Sequence, residues 1–524
     1  MKTLTSYLMG QWQTGRGTPQ TLVNPTTEEA MAQCSTEGLD MGAAVRFARA
    51  QGLPALQALT FSQRAQILRA LAKCLNDARD ELIALGTLNA GNTRGDAKFD
   101  IDGAAATLNF YADLGAKLGE SRVLPDGEGV ALGRSARLFG QHVWVSRQGI
   151  AVHINAFNFP AWGMGEKLAV SLLAGIPTLS KPATSTALMA HRIAELWVES
   201  KALPEGAFQF ICGSVGDLLS HVGPQDVVAF TGSSTTAETL RANERVSKCS
   251  VHLNVEADSL NCAVLGPDAQ VGSEVQNLFL TDVAKEMTQK AGQKCTAVRR
   301  IFVPQAMVGE LTEALVDRLS SIRVGDPADD KTQVGPLATA TQARDVRAGI
   351  EKLSAGALTA CGGAGVPSGL SKGYFVAPTL LVRQQSTPDD LAHHLEVFGP
   401  VATLIGYENR ESLRTLVAAG GGGLVASLYS DDNAWLHQTL GDVAPFHGRV
   451  TLSTEKVAGQ TVPPGTVMPM LLHGGPGRAG GGEELGGARG LELYMQRVAL
   501  QGPRAFVETF AGIKSAPPAS AVTP

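Results

Sequence analysis

From Gly149 onward, short apolar runs alternate with amphipathic stretches. Residues 150–154, 176–179, 208–211 and 227–230 are brief and mostly apolar, which predicts buried strands. Between them, 166–173 and 187–197 carry helical spacing, and 217–221 reads as the start of another helix. Strands alternating with helices imply right-handed crossovers and a mainly parallel sheet. Ligands of such sheets lie beyond the carboxyl ends of the strands, so the loops there are the first place to look for chemistry.

Upstream, Leu68, Leu71, Leu75, Ala78, Leu82 and Leu85 recur at three- and four-residue spacing. This predicts one long amphipathic helix over 61–85 with Ser62 as its N-cap. Downstream, helices are expected at 275–290 and 308–319, on either side of the segment 294–303. Alternating polar and apolar residues over 138–145 suit an exposed strand in need of a partner. The glycine run 420–423 separates later elements, and 515–524 reads as a frayed tail.

Composition narrows the class. At 524 residues and 44% hydrophobic the chain is long enough for two to four domains with sizeable cores. A net charge of −5 with no basic stripe speaks against nucleic acid as a partner. The seven cysteines are scattered and form no Cys-x-x-Cys pair, against a zinc ribbon or a redox dithiol. The start of the chain has no signal-peptide core and no apolar run is long enough to span a bilayer, so a soluble cytoplasmic protein with reduced thiols is expected.

Three residue types then draw notice. Cys295, in Gly-Gln-Lys-Cys, has Lys294 beside it, a neighbour able to favour a thiolate; an isolated cysteine more often serves as a small buried hydrophobe. Glu256 ends an apolar stretch and reads equally as a solvated loop acid. Asn158 follows an expected strand, where an asparagine commonly caps a turn. Gly475–Gly480 spells G-x-G-x-x-G, but with no strand expected before it and no βαβ unit around it the dinucleotide fingerprint does not hold, and a structural or substrate-lining loop is expected. The pair His393-His394 has no companions at metal spacing, so it reads as surface structure and no metal is expected.

The segments NAFNFP, SKPAT, FTGS, NVEADS, GQKC, VGDP and EVFGP follow one another in an order that resembles the aldehyde dehydrogenase superfamily. The resemblance covers essentially the whole chain. It implies an α/β fold with a parallel-sheet cofactor-binding domain (1–134 and 148–258), an α/β catalytic domain (259–478) and a small β oligomerisation arm (135–147 and 488–502). It also implies Cys295 as nucleophile, Asn158 as oxyanion donor and Glu256 as the base that activates water. Glu484 matches a second, proton-relaying acid, though with Glu483 adjacent either could be a surface acid. For the cofactor it implies Phe157, Lys181, Thr184, Gly216, Gly232, Ser233, Glu396 and Phe398. Thr184 replaces a glutamate that grips the ribose hydroxyls of NAD and would repel the 2′-phosphate of NADP, so NADP is expected, with NAD possible.

STEGLDM, INAFNFP, EADSLN and HGGPGRAGGGEELGG resemble a narrower subgroup. Its members act on aliphatic CoA-thioester semialdehydes left when an aromatic ring is opened, in phenylacetate or benzoyl-CoA oxidation. Expected partners are therefore a CoA-linked semialdehyde, a second copy of the chain (a homodimer or dimer of dimers), and a separate hydratase. Arg299 and Arg300 read either as contacts to CoA phosphates or as structural ion pairs. The rival readings are a general aldehyde dehydrogenase, a thioesterase-like hydrolase using Cys295, and a silent protein on the same scaffold.

Overall fold

The computed structural model describes residues 1–513; the tail expected at 515–524 lies outside the described residues. Two seven-stranded sheets organise the chain. In the first, the order is His252–Glu256, Val227–Thr231, Ala151–Ile154, Thr178–Lys181, Phe208–Phe210, Ser6–Leu8 and Gln11–Gln13. The first five are parallel and the last two are added antiparallel from the start of the chain. The expected strands are thus present, and Trp162–Ala174 and Ala187–Glu199 are the helices between them.

The second sheet runs Leu358–Cys361, Thr379–Arg383, Val401–Tyr407, Arg300–Pro304, Cys262–Leu265, Gly423–Tyr429 and His447–Ser453, parallel except for the first strand. Helices Glu274–Thr288 and Val308–Ser320 pack on it through Phe279, Val283, Leu311 and Leu315. Two of its interior strands read VATLIGY and GLVASLY and are buried throughout, as a strand covered on both faces must be. A third, antiparallel sheet joins Leu124–Ala131, Leu138–Ser146 and Met495–Pro503. It includes a strand, Leu124–Ala131, that lies inside the span assigned from sequence to the cofactor-binding part.

Several local expectations are corrected. The helix expected over 61–85 is two helices, Phe61–Asp77 and Arg79–Ala90, because Ala78 leaves helical geometry at φ −98° and ψ 13°. Its N-cap is Thr60, not Ser62: the Thr60 hydroxyl accepts from Gln63 N while the Gln63 side chain accepts from Thr60 N, a reciprocal capping box. His393 is buried rather than on the surface, stacked on Phe302 and bonded to Arg300 and Ser386. Arg299 and Arg300 are buried too. Arg300 donates to the carbonyls of Leu260, Leu416 and Val417, and Arg299 to those of Gly399, Gly292 and Lys294. Neither is placed to meet a CoA phosphate. Among the described residues, no helix is long and apolar enough to cross a membrane.

Candidate active site

The first sheet delivers side chains from the carboxyl ends of its strands. Glu256 closes His252–Glu256, and its neighbour strand ends at Thr231, directly opposite in register. Asn158 follows Ala151–Ile154, and Lys181 closes Thr178–Lys181. The second sheet approaches the same cleft with loops that enter the amino ends of its strands. Cys295 precedes Arg300–Pro304, and Glu396 and Phe398 precede Val401–Tyr407.

The Cys295 loop is set by an unusual backbone. Lys290, Ala291 and Gly292 have φ of 55°, 52° and 68°, three left-handed residues in succession. Only glycine fits at 292, where a Cβ would come within 2.2 Å of the Gly399 carbonyl oxygen. Beyond the turn, Asn261 Nδ2 donates to the carbonyls of Cys295 (2.7 Å) and Ala297 (2.9 Å). Lys294 makes no contact with the thiol, although its charge still favours the thiolate from a distance against the larger opposing effects of burial and Glu256. Its ammonium is buried and turned to Glu286 (2.6 Å) and Gln289 (2.9 Å).

Cys295, Glu256 and Asn158 meet around a small pocket of about 40 Å³, together with Phe99, Phe159, Trp162, Glu166, Lys167 and His473. His473, which the sequence reading missed, stands 3.2 Å from Glu256 Oε2 and 3.9 Å from Cys295 Sγ. Burial alone would raise the Glu256 carboxyl, but the imidazole and its hydrogen bond, helped by Lys167, pull it down to about 2. Burial and the Glu256 charge push the Cys295 thiol well above the free-thiol range, so at rest it holds its proton.

A second buried cluster lies behind Glu256. Lys167 Nζ contacts Glu484 Oε2 at 3.0 Å, Thr231 Oγ1 at 2.9 Å and Glu166 Oε1 at 3.5 Å. Glu484 also accepts from Asn254. It is buried while Glu483 is exposed, which separates the two acids that the sequence left open. Burial, and the charge of Glu484, raise the Glu166 carboxyl to about 7 despite Lys167. Glu166 and Lys167 were also missed as site residues. The signal was available: they are the two charged residues of a helix, Trp162–Ala174, that is otherwise apolar or small.

A larger cavity of about 450 Å³ adjoins Cys295 and is lined by Phe157, Asn158, Lys181, Gly232, Ser233, Glu256, Glu396 and Phe398. Phe157 and Phe398 meet edge to face at 5.8 Å. Ser233 caps the helix Ser234–Arg241, whose first N–H bonds to Asp258. Glu396 Oε1 is buried 3.4 Å from Arg299 Nε but accepts no hydrogen bond from any protein donor. A carboxylate oxygen that can accept a further hydrogen bond, a helix start and a half-buried lysine on one cavity fit the ribose hydroxyls and phosphates of a nicotinamide dinucleotide. Two expected residues are not gathered here. Thr184 opens the short turn Thr184–Thr186, one position past the lining residue Ala183. Gly216 lines a separate polar cavity of about 530 Å³ beside Cys34, Ser35 and Glu37.

The glycine decoy forms the turn of the hairpin Leu472–Gly474 with Glu483–Leu485. A strand does precede it, but an antiparallel one, and Gly480 packs so closely on Val255 that a Cβ would lie 2.2 Å from its carbonyl oxygen. The loop is a structural brace under Glu256.

A match to the aldehyde dehydrogenase family spans residues 12–499. The chain belongs to the aldehyde dehydrogenase family. It is 42% identical over 477 residues to a 3,4-dehydroadipyl-CoA semialdehyde dehydrogenase of Aromatoleum evansii, covering 90% of this chain and 93% of that one. It is 30% identical to a betaine aldehyde dehydrogenase of Brucella anthropi over 82% of this chain and 84% of that one. Among solved structures, betaine aldehyde dehydrogenase of Staphylococcus aureus in complex with NAD+ superposes with a TM-score of 0.83 at 22% identity, covering 99% and 96% of the two chains. A 3,6-anhydro-L-galactose dehydrogenase does so at 0.83 and 21%, covering 95% and 100%. The protein is thus an NAD(P)-dependent aldehyde dehydrogenase with the α/β fold expected from its sequence.

Proposed function

We propose that this aldehyde dehydrogenase oxidises an aliphatic semialdehyde carried as a CoA thioester to its carboxylate, preferring NADP. The observation that carries the substrate class is an apolar corridor. The small pocket at Cys295 shares Phe99, Trp162 and Val467 with an outer cavity of about 600 Å³ bounded by Phe110, Met468 and Met470. Such a corridor suits a hydrocarbon chain that presents its aldehyde to Cys295 and leaves a large polar head outside. The name of the Aromatoleum relative describes such a compound. The preference for NADP rests on Thr184, which puts no carboxylate where a 2′-phosphate would be repelled, with Lys181 nearby as a cation.

In this reading Cys295 Sγ attacks the aldehyde carbon, and the oxyanion meets the Asn158 amide and the Cys295 N–H. A bound nicotinamide would supply the hydride acceptor; Glu396 would hold its ribose, and Phe398 packs edge to face on Phe157 in the same cavity. Glu256 then takes a proton from the water that hydrolyses the thioester. Glu484, whose Oε2 lies 3.0 Å from Lys167 Nζ, is the second acid that would relay protons from Glu256. The antiparallel arm, with Val130, Leu132, Leu138 and Val498 exposed, supports assembly into a homodimer or a pair of dimers. A cytoplasmic enzyme working beside a separate hydratase completes the proposal.

The test follows reduced-nicotinamide formation with NADP and NAD in parallel, on a CoA-linked semialdehyde and on the matching free semialdehyde. Faster turnover of the CoA-linked compound with NADP supports both parts. Equal rates on the two aldehydes leave a general aldehyde dehydrogenase.

A further inference from the structure

We propose that Cys34 and Cys212 form a redox modification site, at which a peroxide oxidises Cys34 and Cys212 closes on it as a disulfide. Both are free thiols, fully buried in one apolar cluster. Cys34 ends the strand Ala30–Cys34, and Cys212 lies just past Phe208–Phe210 of the first sheet. The start of the chain brings them together. Leu4 stands opposite Cys34 in a parallel pairing, and two residues on, Ser6 Oγ accepts from Cys212 N at 3.0 Å. The segments that follow stay laced. Thr36 Oγ1 donates to the Ser214 carbonyl at 2.9 Å, and a Cβ on Gly213 would lie 2.9 Å from Thr36 Cγ2. Between these backbones the Cys212 thiol donates a hydrogen bond to the Cys34 sulfur.

A buried cysteine ordinarily serves as an inert small hydrophobe, and two further features set this pair apart. Cys34 forms part of the wall of the polar cavity of about 530 Å³, with Ser35, Glu37, Gly216 and Asp217, so a molecule as small as hydrogen peroxide has a way in. The charge of Lys181, at the end of the neighbouring strand, acts on both sulfurs. The Cys212 hydrogen bond, with Lys181 helping and burial opposing, holds the Cys34 thiol below its usual range. Cys74, Cys212, Cys262, Cys295 and Cys361 are all pushed the other way. Peroxides react with thiolates, so Cys34 is attacked ahead of these five. Its sulfur takes one peroxide oxygen: an S–O bond forms, the O–O bond breaks, and the other oxygen leaves with a proton as water. The Cys212 sulfur then attacks Cys34, the S–S bond forms and the S–O bond breaks. The hydroxide leaves with the Cys212 proton as a second water.

The inference is independent of the substrate and of the cofactor preference, so its test uses neither. The full-length protein is treated with hydrogen peroxide, the remaining thiols are alkylated after denaturation, and the peptides are mapped by mass. The expected result is a Cys34–Cys212 link and an intact mass lower by about 2 Da, before oxygen is added at Cys295, with both thiols restored by dithiothreitol. In Cys212→Ser the link is lost and Cys34 stops at the sulfenic acid, which dimedone traps. Cys249→Ser should leave the link in place. Oxidation of Cys295 or Cys249 while Cys34 and Cys212 are still alkylated as free thiols overturns the proposal, and this wild-type result needs no variant to fold. A link from Cys34 to any other cysteine overturns it as well.

Discussion

The two seven-stranded sheets serve one cleft in opposite ways. The first places Glu256, Lys181 and the residues around Asn158 at or just past the carboxyl ends of hydrogen-bonded strands. The second brings Cys295, Glu396 and Phe398 on loops that lead into the amino ends of its strands. These loops are held by buried side chains: Arg299 on three carbonyls and Asn261 on two. A strand end inherits its position from the ladder. A loop needs dedicated donors, and this is where the buried arginine and asparagine are found.

The largest effects should come from removing one group of each sheet. Cys295→Ala should abolish reduced-nicotinamide formation even in the first turnover. Glu256→Gln should keep a first-turnover burst and lower steady turnover by about 10²–10⁴-fold, as seen by rapid mixing. If both variants lose the burst, the division of labour between the sheets is wrong. Asn158→Ala should lower kcat by about 10²–10³-fold with little change in KM.

Smaller effects sharpen the contrast between ladder and loop. Asn261→Ala strips two carbonyl anchors and the acceptor for the N–H groups of Leu424 and Val425. It should cost about 2–4 kcal/mol in denaturant unfolding and slow Cys295 chemistry as well. Thr231→Val, at a strand end, removes the bond to Lys167 and should cost about 1 kcal/mol without displacing Glu256. A last effect is a slope in pH. The Glu166 carboxyl is raised from 4.5 to about 7 in the folded protein, chiefly by burial, so the native state binds the extra proton between these values. Stability therefore falls as pH rises through that window, and Glu166→Gln should flatten the fall in a series of melting curves.

Legibility from sequence follows the same line. The strands of the first sheet announce themselves as short apolar runs, and the rule that ligands gather at carboxyl ends points to Asn158 and Glu256. That rule is silent on Cys295 and Glu396, which were found through motif resemblance. His473 carries neither signal. It lies 3.2 Å from Glu256 through a hairpin pairing that no local periodicity encodes. The split of the 61–85 helix was hidden because both halves keep their apolar stripe across Ala78. His393 looked exposed because its partners, Arg300 and Phe302, come from a strand far away in the chain.

The contact of Gly292 with the Gly399 carbonyl joins the loop of Cys295 to the loop of Glu396 and Phe398, and Arg299 stitches across the same seam. For anyone transplanting specificity between enzymes of this kind, the two segments are therefore a single cassette. Exchanging one alone would place a foreign side chain against a carbonyl with no room for it, so recombination breakpoints belong outside 290–400 rather than between its ends.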